Sequence, residues 1–203
     1  MNHKCNDYII KNNKFIRNFD EMYKDISDPW DQEKSNHNDI KDILIKTKEY
    51  IIKPEKVLDI GCATGYVSKI INEFFNQTQY IGTDISNHAI KKAKEKFDSN
   101  FLVDDIKIQN PKFINDFDLI LCLKTIYYVA PEIDLVIKNI ISYLKKDGIF
   151  SCLYNFSNNS FSAKWLTPEL LSEKLLKNKM IKEVYIKKES KIDDNYYLIF
   201  KKC

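Results

Sequence analysis

Glycine is scarce in this chain: four in 203 residues, beside five prolines. That excludes collagen-like and low-complexity segments. Neither sign of charge is in excess. The 32 basic and 29 acidic residues leave a net charge of +3, too balanced to imply nucleic acid as a partner. No apolar run approaches the ~20 residues that a membrane-crossing helix needs. The start of the chain is polar and mixed in charge, so no signal peptide and no membrane association are expected. The five cysteines (Cys5, Cys62, Cys122, Cys152, Cys203) are odd in number and far apart. This argues against a disulfide framework and excludes a Cys-x-x-Cys metal or redox motif. No metal-ligand spacing is visible, so no metal is expected. A soluble protein in the reducing cytoplasm is the expectation.

What is present centres on Lys56-Val57-Leu58-Asp59-Ile60-Gly61-Cys62-Ala63-Thr64-Gly65-Tyr66. The apolar run Val57 to Ile60 predicts a buried strand. Two glycines four apart predict a tight turn. Val67, Ile70, Ile71, Phe74 and Phe75 then recur at helical spacing. Strand, glycine turn and helix open a nucleotide-binding βαβ unit, with free N–H groups at the helix start. A pyrophosphate-binding turn would read G-x-G-x-x-G. Here Asp59 leads in and Ala63 stands where a third glycine would be. A carboxylate repels a pyrophosphate but binds an ammonium, so a ligand joining an amino acid to an adenosine fits better than NAD.

Along the chain, Phe15, Ile16, Phe19, Met22, Tyr23 and Ile26 predict one amphipathic helix over residues 6–26, either a lid or a helix on the sheet edge. Asp28-Pro29-Trp30 ends it, and a second helix begins at Ile40. A strand from Tyr80 ends at Asp84-Ile85, about 20 residues after the turn, where a ribose-binding carboxylate is expected. Ser86 caps the next helix. A strand Phe101–Val103 is followed by Asp104-Asp105-Ile106. Phe117–Leu123 reads as a central parallel strand and delivers Lys124-Thr125-Ile126-Tyr127-Tyr128 to its C-terminal end. A helix follows, with Gly148 as its C-terminal cap. A strand Ile149–Tyr154, a polar loop over 155–165, a helix from Thr167-Pro168 and a hairpin of Val184–Lys188 with Tyr196–Phe200 complete the chain.

The Asp-x-Gly-x-x-x-Gly turn and the elements around it resemble the class I methyltransferases that use S-adenosyl-L-methionine (SAM). The resemblance implies a Rossmann-like α/β fold: a seven-stranded, mostly parallel sheet with a C-terminal antiparallel hairpin, helices on both faces and an N-terminal helical lid. Residues 1–38 would be the lid and 39–203 the SAM-binding domain. It further implies SAM as cofactor and S-adenosyl-L-homocysteine (SAH) as product. Asp59 would hold the methionine ammonium with the Gly61, Cys62, Ala63 and Gly65 backbone. Asp84 and Ile85 would hold the ribose. Asp105 and Ile106 would meet the adenine with Asp104 as neighbour, and Leu123 would line the pocket. Asp28-Pro29-Trp30 with Ser35, and the Tyr127-Tyr128 pair, resemble the nodulation N-methyltransferases and related bacterial sugar methyltransferases. That likeness implies that Trp30 and Ser35 help to close the SAM pocket.

Two departures bear on the acceptor. Those relatives carry a glutamate where this chain has Lys124, and Tyr-Glu where it has His37-Asn38. A lysine in place of a glutamate reverses the sign. The expected acceptor is therefore a small anionic molecule, such as a phosphorylated or nucleotide-linked precursor of a surface glycan or capsule. The catalytic candidates are Lys124 on the acceptor, Tyr127 or Tyr128 facing the sulfonium, and His37 as base with Asp28 as the alternative. His3 and His88 read as structural or exposed. Competing readings are an amino-sugar N-methyltransferase, an RNA methyltransferase and a non-catalytic SAM-binding subunit. The expected assembly is a monomer or homodimer.

Overall fold

The computed structural model describes residues 3–157, 161–190 and 194–203. Its N-terminal part departs from the expected single helix. Helix α1 (His3–Ile9) runs into a small hairpin, β1 (Ile10–Lys11) with β2 (Lys14–Phe15), before α2 (Phe19–Asp25). The break is local. Asn12 and Asn13 both take positive φ, at 50° and 56°, as the two central residues of a hairpin turn, and Arg17 is at 55°. Asparagine tolerates that conformation better than most residues, so two consecutive asparagines outweigh the apolar period.

The remaining elements alternate. They are α3 (Asn38–Lys48), β3 (Lys56–Ile60), α4 (Tyr66–Phe74), β4 (Gln79–Asp84), α5 (Asn87–Lys96), β5 (Asn100–Val103) and β6 (Phe117–Leu123). Then come α6 (Ile133–Tyr143), β7 (Leu144–Phe156), α7 (Pro168–Leu176), β8 (Ile181–Ser190) and β9 (Asp194–Lys202). The seven main strands form one sheet in the order β5-β4-β3-β6-β7-β9-β8. β9 runs antiparallel to both neighbours, and the pairs from β5 to β7 are parallel. This is the expected Rossmann-like sheet with its C-terminal hairpin. Residues 191–193 of the hairpin turn, and 158–160 of the polar loop, lie outside the described residues.

Strand β6 shows why the sheet sits where it does. Its side chains alternate between two cores: Leu119, Leu121 and Leu123 pack with Ile43, Leu44 and Ile71, while Ile120 and Cys122 pack with Val136, Ile140 and Leu171. Both faces are buried, and the strand is apolar but for Asp118 near its start. Cys62, Cys122 and Cys152 are buried as small apolar groups. Two predicted caps are present: Ser86 Oγ accepts from Ala89 N–H, and Thr167 Oγ1 accepts from Leu170 N–H. Gly148 is not a helix cap. Helix α6 ends at Tyr143 and β7 begins at once with Leu144, while Asp147 takes the positive φ. Gly148 is needed for close backbone approach, since a Cβ there would lie 2.9 Å from the Lys145 carbonyl oxygen. No helix among the described residues is long and apolar enough to cross a membrane.

Candidate functional site

Strand order reverses between β3 and β6, and a ligand crevice is expected outside the carboxyl ends of strands at that point. A cavity of about 400 Å³ opens there. It is walled by sixteen of the predicted site residues: Trp30, Ser35, His37, Asp59, Gly61, Cys62, Ala63, Asp84, Ile85, Asp104, Asp105, Ile106, Leu123, Lys124, Tyr127 and Tyr128. Gly65 stands behind the wall, at φ 83° as the N-cap of α4, packed on Phe101 and Ala93. Arg17, Phe19, Tyr23, Gln32, Lys107, Thr125 and Asn155 also border the cavity and were not anticipated. Tyr23 and Phe19 carried only a signal of apolar periodicity. Thr125 and Asn155 follow directly on strands whose ends were expected at the site.

The turn is built by close contact. Gly61 has φ 76°, and the Thr125 side chain lies against it. The N–H groups of Gly61 and Cys62 both bond the Thr83 carbonyl, tying the turn to β4. Asp84 Oδ2 accepts from Ala63 N–H and its Oδ1 from Ser86 N–H. Asp59 Oδ2 accepts from the buried Tyr80 hydroxyl at 2.8 Å. Burial pushes the Asp59 carboxyl up to about 7, against the opposing hydrogen bond from Tyr80, with the Asp84 charge adding to the rise. Burial also pushes Asp84 up to about 6, against the backbone N–H bonds that it accepts. Asp104 is raised by burial too and accepts from Asn110 Nδ2. Among the described residues neither Asp59 nor Asp84 has a basic partner. A buried carboxylate and a half-buried one, both lacking cations, fit a ligand that brings an ammonium and hydroxyl donors, as SAM does. No group of three or more His, Cys, Asp or Glu among the described residues is placed to hold a metal ion.

The N-terminal segment roofs the cavity. Cys5, Met22 and Tyr23 pack on Ala63 of the turn and Ala89 of α5, flanked by Phe19 and Trp30. Trp30 Nε1 donates to Tyr23 Oη at 2.6 Å, and the Tyr128 ring lies 5.4 Å from Phe19 and 5.7 Å from Trp30. Helices α2 and α5 cap each other. Asp20 accepts from Ser86 Oγ and His88 N–H, and Lys92 Nζ donates to the carbonyls of Tyr23, Ile26 and Ser27. Arg17 adds a bidentate bond to Glu132, at 2.6 and 3.1 Å.

The acceptor side differs from expectation. The Asp28 carboxylate takes the N–H groups of Gln32 and Glu33, so it shapes the loop and is not poised as a base. His37 borders the cavity, but its Nε2 is bonded to the Gln32 carbonyl. Lys124 reaches the cavity from a left-handed backbone, φ 59°, and its ammonium is 2.5 Å from Asp39 Oδ2 of α3. Asp28, expected as the alternative base, is absent from the cavity wall, and Asp39 of α3 is the carboxylate that meets Lys124. His88 is half exposed and faces Asp20, while the side chain of His3 lies outside the described set.

The two raised carboxyls have a measurable consequence. An ammonium beside Asp59 needs the ionised form, which below pH 7 must first lose its proton. SAM affinity is therefore expected to fall about tenfold per unit below pH 7, more steeply once pH drops through 6 and Asp84 also protonates. The stability effect runs the other way. Asp59 binds its proton more tightly folded than unfolded, so its contribution is full at pH 4 and is lost as pH rises to 7. Asp59→Asn should flatten both slopes. Calorimetry and thermal melts between pH 5 and 8 read them, and unchanged slopes in the variant would remove Asp59 from the binding site.

Comparison with known proteins agrees with this geometry. The family described as "Methyltransferase domain" matches residues 52–201. Ubiquinone biosynthesis O-methyltransferase of Pelagibacter ubique is 31% identical over 160 residues, covering 77% of this chain and 65% of that protein. The chain spans less than two thirds of the length of the curated relatives it matches. Two solved structures share the fold. The putative methyltransferase in complex with the Trm112 activator of Haloferax volcanii has a TM-score of 0.73 at 17% identity, over 91% of this chain and 96% of its own. N-methyltransferase NodS from Bradyrhizobium japonicum, in complex with SAH, has a TM-score of 0.70 at 18% identity, over 90% and 95%. Sheet order, glycine turn and family match agree: the chain belongs to the methyltransferase-domain family, in the class I fold whose cofactor is S-adenosyl-L-methionine.

Proposed function

We propose that this chain transfers a methyl group from SAM to a small polar acceptor that carries an anionic group. The observation that carries the reading is a pair of cation-free carboxylates, the buried Asp59 and the half-buried Asp84, on either side of a glycine turn at the cavity wall. In this reading Asp59 takes the methionine ammonium, Asp84 the ribose, and Asp105 with Ile106 the adenine. Trp30, Ser35 and the rest of residues 1–38 form a lid, and Tyr127 and Tyr128 flank the reacting centre.

SAM supplies an activated methyl group. The acceptor's heteroatom bonds the methyl carbon, the carbon–sulfur pair returns to sulfur to give SAH, and a proton leaves the acceptor. The protein's part is to align the two molecules and to exclude water. Lys124, at the cavity's acceptor side, supports an anionic acceptor such as a phosphorylated or nucleotide-linked sugar. The surface-glycan role rests on the sequence resemblance alone.

The test is incorporation of labelled methyl from SAM into a pool of bacterial metabolites sorted by charge. Lys124→Glu is expected to lower kcat/KM for the anionic acceptor at least tenfold, about 1.4 kcal/mol, with SAM affinity kept. Labelling of neutral or cationic acceptors alone would overturn the anionic assignment. Tight SAM binding with no labelled product would favour a non-catalytic SAM-binding subunit.

A further inference from the structure

From the Lys124–Asp39 pair we infer that Asp39 is a specificity-determining residue. It acts as a built-in counter-ion that occupies Lys124 until an acceptor phosphate or diphosphate displaces it. The inference rests on the proposed transfer to an anionic acceptor and names the device that selects among anions.

The backbone fixes where the lysine stands. Lys124 N–H bonds the Leu153 carbonyl at 2.8 Å, and its positive φ turns the chain off β6 into the cavity wall. A non-glycine residue held in that conformation is costly, so the point from which the side chain leaves the backbone is constrained rather than incidental. Only the side chain is free to change partner.

Asp39 is arranged to let go. It lies in the first turn of α3, where a carboxylate is favoured by the helix dipole. Its Oδ1 accepts from Ile40 N–H at 2.9 Å, and its Oδ2 also meets Asn195 Nδ2 at 3.5 Å. When Lys124 leaves, Asp39 keeps those contacts and is not orphaned. Arg17 and Lys107 also stand at the cavity wall, and of these Arg17 is held more firmly. Arg17 is gripped by both oxygens of Glu132, and Lys107 pairs with its near neighbour Asp105 at 3.4 Å. The Lys124 contact is a single-point pair, its side chains 38% and 22% exposed, and such pairs open at small cost.

The exchange sets the selectivity. A carboxylate on the acceptor merely replaces one monoanion with another. A phosphate brings a second charge and a further oxygen, with the Asn155 amide close by through its bond to Asn195 Oδ1. Asp39 therefore screens out weakly charged acceptors and passes dianions.

The test titrates inorganic phosphate, pyrophosphate and acetate into wild type, Asp39→Asn, Asp39→Ser, Lys124→Met and the Asp39→Asn, Lys124→Met double variant. Each is run with and without SAH, after melts confirm folding. Phosphate and pyrophosphate are expected to bind the two Asp39 variants at least tenfold more tightly than wild type. Both should lose measurable binding wherever Lys124 is methionine, and acetate should bind wild type immeasurably. A preference for pyrophosphate over phosphate would indicate a diphosphate ester rather than a monoester. Equal anion affinity in wild type and both Asp39 variants, or binding that survives Lys124→Met, would overturn the inference. Failure of SAH to bind wild type would instead overturn the cofactor-site reading, and the SAH-free titrations would still decide the role of Asp39.

Discussion

Gly61→Ala is expected to lower the melting temperature by about 4–20 °C and SAM affinity by at least about a hundredfold. Two separate effects add. A Cβ at position 61 would lie 2.3 Å from Thr125 Cγ2 and 2.4 Å from its Oγ1, inside any real contact distance. Swinging Thr125 away does not relieve this, because its Cβ would also lie 2.8 Å from the added carbon and does not move with the rotamer. Overpacking of that kind costs roughly 1–3 kcal/mol. The left-handed backbone, φ 76°, costs alanine a further ~1–2 kcal/mol. At roughly 2–4 °C per kcal/mol for a chain of this size, the melting shift follows. The affinity loss is larger because the turn must move, and a displacement of about 1 Å at a positioned group costs on the order of a hundredfold. Adding Thr125→Gly should return part of the stability by removing the crowding, while the backbone strain persists. Calorimetric SAM binding by Gly61→Ala equal to that of wild type would show that the turn does not face the cofactor.

Asp84→Ala should separate affinity from stability. Two charge-assisted hydrogen bonds to ribose hydroxyls are worth roughly 1.5–3 kcal/mol each before compensation, so SAM binding is expected to weaken by tenfold at the least and by several hundredfold at the upper end. The ligand-free protein should melt almost unchanged. Burial holds the Asp84 carboxyl up at about 6, which means that its charge is poorly solvated when no ligand is present. Removing it relieves that penalty and offsets the loss of the bonds from Ala63 and Ser86 N–H. A site prepared for a partner is strained without it. Melts with and without saturating SAM read both quantities. A large drop in the ligand-free melt with SAM affinity preserved would mark Asp84 as a structural brace.

The sheet and the cofactor side were legible because their signals are local. Apolar runs, two glycines and acids at strand ends all act within a few residues of where they stand. Asp59, Asp84, Asp105 and Ile106 could therefore be expected at one crevice from spacing and family likeness, and the cavity wall contains all four. The N-terminal segment was misread because its period is real but interrupted: Asn12, Asn13 and Arg17 take positive φ inside the apolar stripe. Gly148 was misread because a glycine after a helix has two uses, a cap and a close approach, which look alike in sequence. The acceptor side was least legible. Asp39 meets Lys124, and Asn155 meets Asn195, only after the sheet has brought α3, β6, β7 and β9 together. No spacing rule reports a contact of that kind.

The roof of the cavity also has a consequence for synthesis. Arg17 finds Glu132 115 residues later, and Ser86 meets Asp20 across 66 residues. At about 5–20 residues per second, roughly 6–23 s separate the emergence of Arg17 from that of its partner. Met22, Tyr23 and Trp30 wait for a shorter time, since the glycine turn and α5 on which they pack are complete at Lys96, about 4–15 s after Met22 at the same rate. On the ribosome a pause in translation just before residue 86 is expected to prolong the exposure of these side chains.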